Sequence, residues 1–291
     1  MSTLSIAQVI VEAAQVLRRA GVPEARREAG SLLAHAMARD RTFLITHADE
    51  VLAFDELNRF RELVERRASG EPLQYITGHQ EFFSLDFEVT PDVLIPRPET
   101  ELLVETALEL LPETGPHPPL ICDVGTGSGC IIIALLHERA RARGLALDIS
   151  PPALQVAARN AARHNVSDRL TLIASDCFSA LEESSARFSM IVSNPPYVAA
   201  RSLDGLQREV REHEPRVALT PGADGLRIIK RIVTDAPRFL NPGGHLLLEI
   251  GFDQHEAVTQ LFETKVWQLL DIHKDLQGIP RTVAAKLVNG K

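Results

Sequence analysis

The 291-residue chain has no Gly-Lys-Ser/Thr step after its glycine-rich turn, which excludes a Walker-type phosphate loop. It also lacks a GxGxxG run, since Cys130 stands where the third glycine of a nicotinamide or flavin fingerprint belongs. Cysteine is scarce: Cys122, Cys130 and Cys177 form no CxxC pair, and two of them lie in apolar runs, as suits buried thiols in a reducing compartment. The ten histidines show no metal-ligand spacing, so no metal site is expected. No Ser-His-Asp or Cys-His arrangement is visible. No window reaches the length of a membrane span, and Met1 to Gln15 lacks the apolar core of a secretory signal, so the expected location is cytoplasmic with no membrane partner. A Lys/Arg-rich tract is missing too: 31 cations against 39 acids leave a net charge of −8, the wrong sign for a groove that neutralises a phosphate backbone. Arg26-Arg27 and Arg66-Arg67 sit near Glu24, Glu28, Glu62 and Glu65 at helical spacings and are expected on solvated helix faces.

What is present is a chain with 45% hydrophobic residues, enough to bury one small and one large core. Leu4, Val9, Ala13, Val16 and Leu17 recur at helical spacing, as do Ala25, Ala29, Leu32, Leu33 and Ala36, and again Leu57, Phe60, Leu63 and Val64. These predict a helical bundle over residues 1–73. Tyr75 to Val89 turns to aromatic and β-branched residues, predicting a hairpin with its turn at Ser84-Leu85-Asp86. With the stiff run Pro91 to Pro98 it forms a linker over 74–98. A helix over Glu99 to Leu111 then opens a domain over 99–291, with Pro112 to Pro119 as an exit loop. From there strands and helices alternate, which calls for an α/β fold with a mostly parallel sheet covered on both faces. The polar segment from Tyr197 to Pro221 is long for a loop and is expected to be partly helical. Asp224 to Phe239 is predicted as a helix.

Chemistry gathers at the ends of the predicted strands. Leu120 to Val124 runs into Gly125-Thr126-Gly127-Ser128-Gly129, where glycines allow close backbone approach to a ligand and a sharp entry into a helix. Asp148 follows the next strand and is placed to accept both hydroxyls of a ribose. Leu170 to Ala174 leads into Ser175-Asp176-Cys177-Phe178, where Asp176 could accept from an adenine amino group. Phe188 to Val192 leads into Asn194-Pro195-Pro196-Tyr197. Two prolines end strand pairing and stiffen the backbone, so the Asn194 amide oxygen and the Pro195 carbonyl form two rigid acceptors beside an aromatic face. That set suits a planar NH2 group, with both protons accepted and Tyr197 stacked on its plane.

The order glycine turn, ribose acid, adenine acid, Asn-Pro-Pro-Tyr resembles the class I S-adenosylmethionine-dependent methyltransferases. The resemblance sharpens at Gln74 to Gly78, Phe82-Phe83, Leu94-Ile95-Pro96-Arg97-Pro98-Glu99-Thr100-Glu101, Glu214-Pro215, Ala218-Leu219 and Leu248-Glu249-Ile250-Gly251. With these the chain is similar to the protein-(glutamine-N5) methyltransferases of peptide chain release factors over nearly its whole length. The resemblance implies a seven-stranded Rossmann-like methyltransferase sheet whose last strands, near Val266 to Ile272 and Thr282 to Val288, are its antiparallel end. It implies S-adenosyl-L-methionine as cofactor, bound by Asp123, Gly125, Thr126, Gly127, Ser128, Gly129, Asp148, Asp176, Cys177 and Asn194. It also implies a substrate glutamine, that of the GGQ motif, held by Asn194, Pro195, Pro196 and Tyr197, with Asn194, Pro195 and Tyr197 catalytic. Some members carry a large aromatic where this chain has Cys177, which leaves Cys177 and Phe178 as alternatives for the apolar contact with adenine. Arg97 and Glu99 are open between an ion pair that closes the linker and direct ligand contact. The expected partner is a release factor, met by a monomer without direct nucleic-acid binding. Alternatives are a ribosomal-protein glutamine methyltransferase, an adenine-N6 methyltransferase, whose nucleic-acid substrate the charge disfavours, and an inactive scaffold of the same fold.

Overall fold

The computed structural model describes residues 4–111, 117–183 and 187–288, so most of the expected exit loop, residues 112–116, lies outside the described residues. The chain forms two compact units. One comprises the described residues through His79 together with Gln207–His213; the other runs over Gln80–Leu206 and from Glu214 on.

In the first unit the three amphipathic stripes become helices Ile6–Arg19, Ala25–Met37 and Phe54–Ala68. Ser5 and Gln8 close the start of the first with a reciprocal capping box, in which Ser5 N–H donates to Gln8 Oε1 at 2.9 Å. Leu17, Ala29, Leu32 and Leu33 are fully buried between the helices. Two short helices, Arg41–Thr46 and Leu73–Thr77, have too few turns to leave a periodic signal. One expected solvated arginine is not on a solvated face. Arg67 is buried and binds Glu28, 39 residues away, as well as Glu209 at 2.8 Å on the helix Arg208–His213. Spacing along one helix cannot reveal a partner supplied by another part of the chain.

The hairpin pairs β1 (His79–Phe82) with β2 (Leu85–Glu88). Its turn lies at Phe83-Ser84 rather than Ser84 to Asp86, with φ of +51° and +59° at the two central residues. Such a turn is ordinarily announced by Asn-Gly, and Phe-Ser hides it.

The large sheet takes β3 (Leu120–Val124), β4 (Arg143–Asp148), β5 (Leu170–Ala174), β6 (Phe188–Ser193), β7 (Leu240–Glu249), β8 (Trp267–Lys274) and β9 (Pro280–Leu287). Their order is β5-β4-β3-β6-β7-β9-β8, and only β9 runs against its neighbours. Alternate strand residues feed two cores. Ile121, Met190, Val192 and Leu247 join the helices Glu101–Leu110 and Cys130–Glu138, while Cys122, Ile191, Leu246 and Leu248 join Arg227–Asp235. Burial on both faces explains why these strands read as unbroken apolar runs. The last of those helices is shorter than expected because its chain tightens into a 3₁₀ turn around Pro237. The chain steps from β3 through β4 to β5 and then returns to β6 on the other side of β3, so the strand order reverses beside β3. Open α/β sheets hold ligands outside the carboxyl ends of such a pair. Among the described residues no helix is long and apolar enough to cross a membrane.

Asn160, on the helix Pro151–Arg163, ties this sheet layer to the hairpin. Fully buried, its Oδ1 accepts from Glu88 N–H at 2.8 Å, and its Nδ2 donates to the carbonyls of Glu88 at 3.0 Å and Ser128 at 2.9 Å. Asn160→Ala removes three hydrogen bonds, each with a net worth of about 0.5–1.5 kcal/mol. Urea unfolding of the variant is expected to show a loss of about 2–4 kcal/mol. A loss near zero would mean that other groups take over all three bonds.

Candidate functional site

At the reversal point a cavity of about 240 Å³ opens within the second unit, walled by the loops that follow β3, β4, β5 and β6. Gly125, Gly127 and Gly129 all have positive φ, at +76°, +55° and +82°, and they turn the chain from β3 into its helix. Gly129 has no room for more: a Cβ there would lie 2.8 Å from Ile133 Cδ1 and 3.2 Å from Ala157 Cβ. Backbone N–H groups of Gly125 and Thr126 both donate to the Leu147 carbonyl, at 2.8 and 3.0 Å, which fastens the loop to the end of β4.

Asp123 supports this loop from beneath. It is fully buried and is not on the cavity wall; its Oδ2 accepts from Thr126 Oγ1 at 2.7 Å, and its Oδ1 finds no hydrogen-bond partner among the described residues. Burial pushes its carboxyl up to about 7; the Thr126 bond opposes the rise and the neighbouring Asp148 adds to it. Gly129 is likewise off the wall, whereas Gly125, Thr126, Gly127 and Ser128 line it.

Asp148 lines the cavity at the end of β4. Its Oδ2 accepts from Gly127 N–H at 2.8 Å and its Oδ1 from Ser150 N–H at 2.9 Å. A carboxylate offers about four lone-pair sites, so about two remain for a diol. Burial holds this carboxyl above the usual range. Next to it Ile149, 56% exposed, gives the cavity an apolar face that sequence reading missed. An isoleucine after a strand is unremarkable until the structure leaves it uncovered. Asp176 and Cys177 are on the wall, while Phe178 stacks on Phe239 in the core with ring centroids 4.9 Å apart. Cys177 is thus the apolar neighbour at the cavity and Phe178 is not. Asp176 already meets Arg231 at 2.6 Å through its Oδ2.

Across the cavity, Asn194, Pro195 and Pro196 line the wall where β6 ends. Ser193 Oγ donates to the Val124 carbonyl at 2.6 Å and so joins the ends of β6 and β3. No described residue donates to Asn194 Oδ1 or to the Pro195 carbonyl. Asn194 Nδ2 donates to Thr100 Oγ1 at 3.0 Å, and Thr100 Oγ1 donates to Glu249 Oε2 at 2.6 Å. Tyr197 is not on the wall. Its hydroxyl donates to Glu249 Oε1 at 3.2 Å, and its carbonyl accepts from Gln254 Nε2 at 3.0 Å. Gly225 closes over that carbonyl so tightly that a Cβ would lie 2.3 Å from the Tyr197 oxygen. Glu249, 1% exposed, is pushed up to about 7 by burial, against the Thr100 and Tyr197 hydrogen bonds and Arg281. Arg97 lines the cavity and pairs with the buried Glu214 rather than with Glu99; Glu214 Oε2 also accepts from Ile95 N–H at 3.3 Å. Among the described residues no group of three or more His, Cys, Asp or Glu could hold a metal ion.

Comparison with known proteins adds family to this geometry. Residues 8–78 match the PrmC N-terminal domain, and residues 99–212 match the methyltransferase small domain. A release factor glutamine methyltransferase from Nitratidesulfovibrio vulgaris is 44% identical over 276 residues, covering 94% of this chain and 92% of its own. One from Geobacter sulfurreducens is 45% identical over 271 residues, 93% of each chain. A solved methyltransferase structure from Pyrococcus furiosus, at 16% identity and a TM-score of 0.51, covers 79% of this chain and 98% of its own and shares the fold.

The two buried acids set a pH dependence. Asp123 and Glu249 each titrate near 7 in the fold, against 3.8 and 4.5 for the free groups. Between those values the folded protein holds more protons than the unfolded chain, so their contribution to stability is full below about pH 4 and is lost as pH rises through 7. The thermal midpoint of the cofactor-free protein is expected to fall between pH 5.5 and 8, and Asp123→Asn to flatten that slope. A slope unchanged in Asp123→Asn would show that this acid is ionised throughout.

Proposed function

The chain belongs to the release factor glutamine methyltransferase family, and from that premise we propose that it methylates the side-chain amide nitrogen (N5) of the GGQ glutamine in peptide chain release factors, tuning translation termination, with S-adenosyl-L-methionine as methyl donor. The observation that carries this reading is the pair of acceptors at the end of β6. Asn194 Oδ1 and the Pro195 carbonyl are without donors from the described residues at the cavity wall, and an amide NH2 brings two protons to satisfy them.

The residues around the cavity fit the donor. Asp148 keeps lone pairs for the ribose diol, Ile149 and Cys177 offer apolar surface to the adenine, and the loop Gly125 to Ser128 brings backbone close to the cofactor. Asp123 Oδ1, buried without a partner among the described residues, leaves one further acceptor beneath that loop. Asp176 keeps Oδ1 for an adenine amino group while Oδ2 meets Arg231.

Bound S-adenosyl-L-methionine supplies an electrophilic methyl group on a sulfonium. The protein's task is to make a poor nucleophile attack it. Amide nitrogen is weak because its lone pair is delocalised into the carbonyl. Asn194 and Pro195 accept the two amide protons, fix the NH2 plane and favour pyramidalisation, so catalysis is positioning with polarisation of the attacking group. No strong base is required, because nitrogen becomes acidic once it carries the methyl group. Tyr197 acts from behind, with its hydroxyl held on Glu249.

The helical unit fits the docking of a folded protein, since its helices bury one face each and leave charged faces with no part in methyl transfer. With the net charge of −8 this favours an enzyme acting on a protein rather than on nucleic acid.

Incubation with labelled S-adenosyl-L-methionine and, separately, a release factor, a ribosomal protein and DNA is expected to place label on the release factor glutamine. Label on the ribosomal protein or DNA alone would overturn the assignment. Asn194→Ala is expected to lower kcat by about two to three powers of ten, comparable to the loss of one preorganised polar group, while the cofactor Kd stays within about twofold. Near-native turnover would remove Asn194 from the mechanism.

A further inference from the structure

The segments Pro98-Glu99-Thr100 and Leu248-Glu249-Ile250 contain two side chains that the reaction itself does not call for, and they meet beside Asn194, with Thr100 among the residues that line the cavity. Thr100 is 2% exposed and Glu249 1% exposed. A hydroxyl has one proton. In the 2.6 Å contact Thr100 Oγ1 donates it to Glu249 Oε2, an oxygen that accepts both in the carboxylate and in the acid protonated on Oε1. Thr100 Oγ1 is then left with lone pairs alone, so whatever the Asn194 side chain turns toward it must be a donor. Its Nδ2 lies 3.0 Å away, and the amide oxygen is thereby directed to the other side. A carboxamide rotated by half a turn would place NH2 where an acceptor is needed and set two acceptors face to face at Thr100. The same carboxylate takes the Tyr197 hydroxyl on its other oxygen at 3.2 Å, so both ends of Asn194 to Tyr197 rest on one buried group.

We propose that Thr100 and Glu249 are positioning residues: the relay Glu249–Thr100–Asn194 locks the Asn194 amide with its oxygen toward the substrate NH2, and Glu249 also anchors Tyr197. The proposal rests on the reading of Asn194 as acceptor for a substrate amide. Glu249 is not among the residues that line the cavity, and the Thr100 hydroxyl, at the wall, is engaged by Glu249 and Asn194. Their effect is on the fraction of enzyme whose asparagine faces the correct way, and therefore on kcat rather than on cofactor affinity.

The test is a double-mutant cycle with the full-length enzyme, whole release factor and S-adenosyl-L-methionine. Thr100→Val keeps the side-chain shape and removes the hydroxyl. It is expected to lower kcat about tenfold or more, with the cofactor Kd measured by calorimetry within about twofold, which also shows that the variant is folded. Thr100→Ser returns the hydroxyl and recovers most of that loss. In an Asn194→Ala background Thr100→Val should have no further effect on kcat, because nothing remains to be oriented. Full additivity of the two losses, or a Thr100→Ser enzyme as slow as Thr100→Val, would overturn the relay. A wild-type enzyme that does not methylate the release factor would instead overturn the functional reading, and the two failures are read from different samples.

Discussion

The two sides of the crevice hang on a few hydrogen bonds that close the carboxyl ends of three adjacent strands, β4, β3 and β6. The Leu147 carbonyl at the end of β4 accepts from two N–H groups of the glycine loop after β3, and the Ser193 hydroxyl at the end of β6 donates to the Val124 carbonyl at the end of β3. These bonds hold the two sides of the crevice in one register, with Asp123 paired opposite Val192 and Val124 opposite Leu147. A site that works by orientation needs such a frame. Amide nitrogen attacks only when its plane and its protons are held, and a loop free to shift by an ångström would lose that advantage.

Beneath this frame lie two buried carboxylates with parallel tasks. Asp123 holds the Thr126 hydroxyl of the glycine loop, and Glu249 holds the Thr100 and Tyr197 hydroxyls around Asn194. Each is a costly group to bury, and each is pushed toward neutrality by its surroundings. Arg97 and Glu214 add an ion pair at the cavity wall that fixes Ile95 through its backbone. Polar groups hidden under loops, rather than exposed ones at their tips, give the site its rigidity.

Much of this was legible in the amino-acid order. Strands with both faces buried read as apolar runs, and the four strand-end segments that gather at the cavity were visible because glycine, acid and Asn-Pro-Pro punctuate them. What stayed hidden was of long range. The partner of Arg97 is 117 residues away at Glu214, and that of Arg67 is 39 residues away at Glu28. Asn160 looked like any helix residue, and its three bonds to Glu88 and Ser128 exist only because the hairpin folds against that helix. Tyr197 read as a stacking ring; that its hydroxyl donates to the buried Glu249, 52 residues away, was not visible in the sequence. The Phe83-Ser84 turn carried no glycine or asparagine to mark it.

The account stands or falls on where the substrate nitrogen sits. A structure of the enzyme with S-adenosylhomocysteine and a release factor is the most direct measurement. The glutamine side-chain nitrogen is expected within about 3 Å of both Asn194 Oδ1 and the Pro195 carbonyl, the distance of an ordinary N–H···O bond. A glutamine whose nitrogen is bonded elsewhere, with those two acceptors turned to solvent, would contradict it.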